Sequence, residues 1–427
     1  MTAFDFLYGV LLILFSPFFL VNRRLRQGFF SRIVRSLTGS NNRCCFTETR
    51  YGAPILIHAV SVGEVVAALP LIKSLENEGF DVLVTTATER GFLTARKNGL
   101  DVVYAPLDFS YFVRPFLREL KPLALILIEL ELWPNLIFWA HSSKVPILIV
   151  NGRISDESFR NYRAFKLFVS SSLRRVSLIL CQNNLYVERF VDLGAKKEKV
   201  FMGGNMKYDS APKKVTEQER NRVREELGIR DDEFVLIGGS TYLVEEKTLL
   251  DSFVSLRKDS KMRLILAPRQ TDHFDELISE IKKRGLRYLN RSATKTGTFS
   301  SDWDVYVVDT VGDLVYLYGG ADVAFVGGTL FEGKGGHSVI EPAACGLPVV
   351  IGEHYENFRD TVVLLSACGG LRVVKSGEEV TSVVKRFIED ENERKRAGES
   401  CARAIDLHRG ATERVVSYLK GVLRTEE

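Results

Sequence analysis

Several patterns are missing from this 427-residue chain. Its six cysteines, Cys44, Cys45, Cys181, Cys345, Cys368 and Cys401, contain no CxxC spacing, which leaves no thiolate zinc site and suits reduced thiols facing a cytosol. The six histidines are dispersed among the acidic residues without ligand spacing, so no metal and no other cofactor is expected. Charge of one sign is scarce: 58 Lys and Arg against 54 Asp and Glu leave +4, too little to imply a nucleic-acid partner. There is no G-x-S-x-G nucleophile elbow and no short-period repeat, which argues against serine-hydrolase chemistry and solenoids. What remains is ordinary globular composition, 45% hydrophobic and 26% charged, in a chain too long for one core. Two domains of roughly 200 residues each are expected.

The first 35 residues depart from that composition. Phe4 to Val21 is an apolar run of about 18 residues, at the short end of a bilayer span. Arg23, Arg24, Arg26, Arg32 and Arg35 follow at once, interleaved with Leu25, Phe29, Phe30 and Ile33. A signal peptide has its positive charge before the apolar core, so the reversed order predicts an uncleaved membrane-anchor helix. The positive-inside rule then leaves the bulk of the protein in the cytoplasm. Pro17 and the modest length keep open an interfacial helix with its arginines on lipid phosphates, or a helix docked on the soluble part.

After a polar connector, Ser36 to Tyr51, strands and helices alternate. Strands are predicted at Ile55–Val60, Asp81–Thr86, Val102–Ala105, Leu123–Ile128, Val145–Val150 and Leu178–Gln182, with helices between them, one of them over Ser158–Arg175. The order restarts after a linker near Gly203 to Pro212, with a capping box at Thr216 and Glu219 and strands at Phe234–Gly238, Met262–Ala267, Tyr306–Val308, Val323–Val326 and Pro348–Ile351. Repeated βα order calls for mostly parallel sheets. The expected fold class is therefore α/β, with two Rossmann-like domains facing across a cleft. The expected divisions are 1–35 for the anchor and basic segment, 36–205 and 206–410 for the two domains, and 411–427 for a last helix packing back on the first.

The segment PILIHAVSVGEVVAALPL, Pro54 to Leu71, is the most informative of the first half. An apolar strand turns through Ser61, Val62 and Gly63 and delivers Glu64 to a helix start. Parallel α/β sheets bind ligands at such strand ends. The helix dipole favours an ionised carboxylate there, so Glu64 is expected to accept a proton; a simple complement to the dipole is the alternative. Glu129 and Glu131, in IELELWPN, end a second apolar strand and point the same way if the strand period continues. They bind an acceptor or form a structural ion pair, with Arg153 as the candidate partner. His58, on an apolar strand, is expected in the core.

In the second half, ADVAFVGGTLFEGKGGHSVIEPAACGLP, Ala321 to Pro348, runs from a strand through a glycine-dense loop to a helix near Ser338. Glycine backbone and a helix start suit a phosphate or phosphosugar. Gly328 to Lys334 meets the spacing of a P-loop, but Gly335 replaces the magnesium-holding Ser or Thr, which excludes a nucleoside-triphosphatase. Glu341 is read as a ribose ligand, with helix capping as the alternative. Arg269 ends a strand where its guanidinium can clamp phosphate. Ser240, in Gly-Gly-Ser-Thr, adds hydroxyl and backbone donors, and Lys207 is either an anion contact near the hinge or a solvated linker residue.

HAVSVGE (58–64), ELELWPN (129–135), NGRIS (151–155), GNMKYD (204–209), GGST (238–241), APR (267–269), DTVGDL (309–314), FVGGTL and GGHSVIEPAACGLPV resemble, in order, the motifs of the 3-deoxy-D-manno-octulosonic acid (Kdo) transferases. The likeness runs from about Ile55 to Phe358. It implies a GT-B glycosyltransferase of lipopolysaccharide synthesis that moves Kdo from CMP-Kdo to the 6'-hydroxyl of a lipid A precursor. It places the enzyme on the cytoplasmic face of the bacterial inner membrane. By the same resemblance Glu64 is the general base of an inverting, metal-independent transfer. Arg269 and Lys207 contact the donor, Gly312 lies beside the cytosine, and Ser338 and Glu341 hold the ribose. The chain departs from the family's usual pattern at Ser338 (more often Asn), Leu130 (Thr) and Tyr242 to Val244 (His-Glu-Gly). A GT-B transferase using another nucleotide sugar, or an inactive lipid-binding relative, is the alternative.

Overall fold

The computed structural model describes residue 5 and residues 53–270, 272–295 and 301–424. The arginine-rich segment, the connector and the apolar run beyond Asp5 lie outside the described residues, and so does the expected anchor helix. Among the described residues no helix is long and apolar enough to cross a membrane.

The chain forms two compact units. One comprises the described residues up to Ser210 together with those from His408; the other is Ala211–Leu407. The first unit holds strands β1 (Ile55–His58), β2 (Val82–Thr86), β3 (Val102–Tyr104), β4 (Ala124–Ile128), β5 (Ile147–Gly152), β6 (Leu178–Cys181) and β7 (Val200–Met202). They pair in the order β3-β2-β1-β4-β5-β6-β7, all parallel. Every residue of β1 is buried, because helices cover both faces of the sheet. Ile55 and Ile57 enter one core with Leu71 and Leu75 of the helix Val62–Asn77. Leu56 enters the other with Phe116 and Ile137, as a period of two requires.

The second unit repeats the plan with β8 (Phe234–Thr241), β9 (Met262–Pro268), β10 (Tyr288–Asn290), β11 (Val305–Val307), β12 (Val323–Val326), β13 (Val349–Ile351) and β14 (Leu371–Val373). Their order is β10-β11-β9-β8-β12-β13-β14, again all parallel. The capping box of Thr216 and Glu219 forms as expected. The three unexpected strands, β7, β10 and β14, are three-residue sheet edges whose side chains are only partly covered, so their hydrophobic signal is weak. The long helix expected over Ser158–Arg175 is two, Asp156–Ala164 and Lys166–Leu173, broken at Phe165.

The boundary expected at 206 falls after Ser210, and the expected linker has structure of its own. Met206 and Tyr208 are buried in a short turn, and the Met206 amide donates to Asn151 Oδ1 at 3.1 Å. The Asp209 carboxylate accepts from the amides of Gly410 (2.7 Å) and Thr412 (2.6 Å). It thus caps the last helix, Ala411–Arg424, whose Val415, Val416 and Leu419 join the core beside Leu71. Asp209→Ala should cost about 1–2 kcal/mol of stability in the first unit. Hydrogen exchange checks this: protection should fall first at Val415 to Leu419.

Candidate functional site

Both sheets reverse their winding beside their first strand, and open α/β sheets bind ligands at the carboxyl ends of strands at such a point. In the first unit the reversal lies between β1 and β4, which are in register from Ile55 with Ala124 to His58 with Leu127. Glu64 follows β1, and Glu129 and Glu131 follow β4, so adjacent strands bring the three carboxylates to one edge.

The helix after β1 starts at Val62, which puts Glu64 in its first turn with Ser61 as N-cap. The carboxylate folds back on that turn, accepting from the Val60 amide at 2.8 Å and the Ser61 hydroxyl at 2.7 Å. Only 9% of Glu64 is exposed, and burial raises its pKa above the ordinary 4.5. Those two hydrogen bonds pull it down, and the Glu129 charge pushes it up. Burial therefore outweighs the helix start that was expected to hold Glu64 fully ionised. The result is a more basic carboxylate. Gly63 is exposed, and a Cβ there would come no closer than 4.0 Å to Ser61 Oγ, so the backbone beside Glu64 is open to approach.

Strand geometry stops at Ile128: Glu129 has a left-handed backbone with φ 60°. The strand period therefore does not align the two glutamates, and each finds its own partner. Glu129 Oε1 is 3.5 Å from Lys207 Nζ, and Glu131 Oε2 accepts from Trp133 Nε1 at 2.8 Å. Arg153, the expected partner, makes no ion pair with either among the described residues. It follows Asn151, whose own left-handed turn is spent holding Met206. Lys207 is instead the cation of this cluster, in the first unit and one-third exposed, not a solvated linker residue. Burial, then the charges of Glu64 and Glu129, push Glu131 up to about 7 against the Trp133 hydrogen bond. Glu131 is thus the carboxyl of this cluster that keeps its proton toward neutrality. His58 is fully buried, bonded to Thr85 Oγ1 at 2.9 Å and edge-on to Trp133 at 4.6 Å, a core residue as expected.

In the second unit the reversal lies between β8 and β12. Ser240 has φ 54°, and a Cβ on Gly327 would meet its carbonyl oxygen at 2.5 Å, so only glycine allows the two strand ends to close up. Sequence reasoning missed Glu245, which organises this edge. Fully buried, it accepts from the amides of Gly328 (2.8 Å), Thr329 (2.9 Å), Leu330 (3.1 Å) and Tyr242 (3.1 Å). The available signal was a Glu three residues after the helix start at Tyr242, the acidic half of a capping box without its hydroxyl half. The first amides of the glycine loop, expected to cradle a phosphate, are thus committed to an internal carboxylate.

Positive charge at this edge comes from side chains instead. Arg269 is exposed just beyond β9, its backbone amide held by the Thr241 carbonyl at 2.8 Å. Lys334 Nζ lies 4.8 Å from the Tyr242 ring centroid, and His337 Nε2 is 3.3 Å from the Tyr242 hydroxyl. Burial and the charges of Arg269 and Lys334 drive the His337 pKa down to about 4, so the imidazole is neutral and the edge is suited to an anion. Ser338 precedes the helix Ile340–Cys345, its hydroxyl 3.4 Å from the Ile340 amide, and Glu341 is half-buried in the first turn. Gly312 follows β11 in a left-handed turn with φ 99° and nothing within 4 Å of a Cβ position. Ser240 lies at the end of β8, and Arg269, Gly312, Ser338 and Glu341 follow the carboxyl ends of other strands of the same sheet. Among the described residues no group of three or more His, Cys, Asp or Glu could hold a metal ion.

Residues 23–210 match the family model described as 3-deoxy-D-manno-octulosonic-acid transferase, and residues 303–403 match glycosyl transferases group 1. A 3-deoxy-D-manno-octulosonic acid transferase of Haemophilus influenzae is 32% identical over 86% of this chain and 87% of its own length. One of Bordetella pertussis is 30% identical over 86% and 87%. Among solved structures, a glycosyltransferase from Rickettsia africae covers 87% of this chain and 99% of its own at 10% identity and TM-score 0.56, a likeness of fold.

The raised Glu131 pKa has a definite sign for stability. A carboxyl that binds its proton more tightly when folded favours the fold below its unfolded pKa, and this contribution is lost as pH rises toward 7. Glu131→Gln, which keeps an acceptor for Trp133, should therefore stabilise the first unit above pH 7 by at most about 3 kcal/mol. Melting curves should show the gap closing toward pH 4.5.

Proposed function

Because the chain belongs to the 3-deoxy-D-manno-octulosonic acid (Kdo) transferase family, and is thus a glycosyltransferase of lipopolysaccharide synthesis, we propose that it transfers Kdo from CMP-Kdo to the 6'-hydroxyl of the lipid A precursor lipid IVA. The observation that carries the mechanism is Glu64, a buried carboxylate of raised basicity beside an open glycine. In this reading Glu64 takes the proton of the acceptor hydroxyl as its oxygen attacks the anomeric carbon from the face opposite CMP, inverting it. Glu129 keeps Glu64 basic by its negative charge, and Lys207 limits that charge or reaches the donor's anionic groups.

The donor reading rests on the second unit's edge. Arg269 and Lys334 suit the phosphate of CMP and the carboxylate of the sugar, and Ser240 adds a hydroxyl. Glu341 and Ser338 are assigned to the ribose and the Gly312 turn to cytosine. CMP leaves as a stabilised phosphate monoester, so the departing charge needs electrostatic support more than a proton. No metal is assigned a part. The apolar run and the arginines after it are assigned to the cytoplasmic face of the inner membrane, where the acceptor is held.

Mass spectrometry of the lipid after incubation with CMP-Kdo and a tetra-acylated precursor in detergent tests the reaction. A gain of one or more Kdo masses is expected; no gain despite CMP-Kdo binding would point to another acceptor or a dead site. Thermal shifts with CMP against UDP test the donor separately. Glu64→Gln should lower turnover about 10²–10⁴-fold with CMP-Kdo affinity unchanged. The base must be ionised, so activity should fall as pH drops through a pKa above 4.5, and Glu129→Gln should move that acid limb to lower pH. A limb that does not move in the glutamine variant would remove Glu129 from the base's surroundings.

A further inference from the structure

Tyr242 leaves β8 as the N-cap of the helix Leu243–Leu256, and three residues of the glycine loop pack on its ring. Phe331 meets the ring edge-on at 5.4 Å, His337 stacks on it at 5.8 Å, and Lys334 Nζ lies 4.8 Å from its centroid. The Tyr242 hydroxyl is 3.3 Å from His337 Nε2. Glu245, in the same helix start, takes the amides of Gly328, Thr329 and Leu330. Two side chains of one turn thus divide the loop: the carboxylate holds its beginning and the ring carries the rest.

The loop backbone around Lys334 is fixed without that ring. Asn357 Nδ2 donates to the Lys334 carbonyl at 3.0 Å, the Asn357 amide to the Gly335 carbonyl at 2.9 Å, and the Gly336 amide to the Gly328 carbonyl at 2.9 Å. A Cβ on Gly335, whose φ is 71°, would meet Asn357 Nδ2 at 2.7 Å, so this closeness needs glycine. The Lys334 side chain is held by less. It is exposed and makes no ion pair among the described residues, and its four-carbon stem would otherwise spread over many rotamers. The charges of Lys334 and Arg269 both act on His337, so the two cations stand near one imidazole although like charge drives them apart. Attraction of the ammonium to the tyrosine face opposes that repulsion and gives the side chain a direction.

We propose that Tyr242 is a positioning residue for the donor: its ring seats the Lys334 ammonium on the same side as Arg269, so that both cations meet one phosphate. The inference rests on the donor reading above and assigns Tyr242 no contact with the reacting atoms. An ammonium has three N–H donors, and a π face engages it without using them all, so Lys334 keeps donors for a phosphate oxygen. Arg269 has no carboxylate partner among the described residues either, which leaves its guanidinium for the same group. Seating the lysine before the ligand arrives removes part of the rotamer entropy that binding would otherwise cost.

Titration calorimetry of the full chain with CMP and with cytidine tests this, because cytidine has the same base and ribose and no phosphate. Y242L, which keeps an apolar side chain against Phe331 and loses the π face, should bind CMP about fivefold more weakly and cytidine as before. Y242F keeps the face and should bind both within about twofold of the native chain. K334Q should weaken CMP at least as much as Y242L does, and Y242L/K334Q no more than K334Q, since the ring acts only through the ammonium. The proposal is overturned if Y242L binds CMP like the native chain, if it loses CMP and cytidine alike, or if the losses multiply in the double variant. A native chain that prefers UMP to CMP would instead overturn the cytidine reading, and UMP against uridine would then decide the role of Tyr242 by the same ratios. A native chain that binds neither nucleotide better than its nucleoside overturns the proposal, because no phosphate then meets the two cations.

Discussion

Parallel pairing of each unit's first strand with neighbours on both sides is the constraint on which the rest depends. β1 lies between β2 and β4, and β8 between β9 and β12. Right-handed crossovers must then place helices on opposite faces of the sheet, and the loops leaving the two central strands part from each other. The opening left between them is where Glu64 meets Glu129 and Glu131 in one unit, and where Ser240 meets the glycine loop in the other. No residue of this machinery is sequence-adjacent to its counterpart; β-sheet register alone makes them neighbours.

The two edges solve opposite electrostatic problems. The first gathers three carboxylates with one lysine, so burial and like charge make the group basic. The second satisfies its one buried loop-binding carboxylate, Glu245, entirely with backbone amides and leaves Arg269 and Lys334 around a neutral imidazole. A carboxylate of raised pKa and a cationic edge follow from these arrangements without any unusual residue.

Much of this was legible before the fold was seen. Fully apolar strands such as Ile147–Val150 are read from composition, and capping at Thr216 is read from spacing. Edge strands such as Leu371–Val373 were not legible, because a half-covered strand of three residues carries little pattern. The pairing of Glu129 with Lys207 instead of Arg153 was not legible either. It depends on a left-handed residue at 129 and on the turn that brings Met206 to Asn151, both consequences of packing.

By itself the sequence determined the α/β class, two βα series, the placement of Glu64 at a strand-to-helix turn and the family likeness, because these rest on local periodicity and on ordered motifs. Tertiary structure alone decided that burial makes Glu64 more basic than its helix start would. It also decided that Glu245 occupies the glycine loop's first amides, that Asp209 ties the supposed linker to the last helix, and that Glu129 gathers with Glu64, Glu131 and Lys207. Desolvation, amide satisfaction and charge clustering depend on what surrounds a group in space, and that is set only when strands far apart in sequence pair.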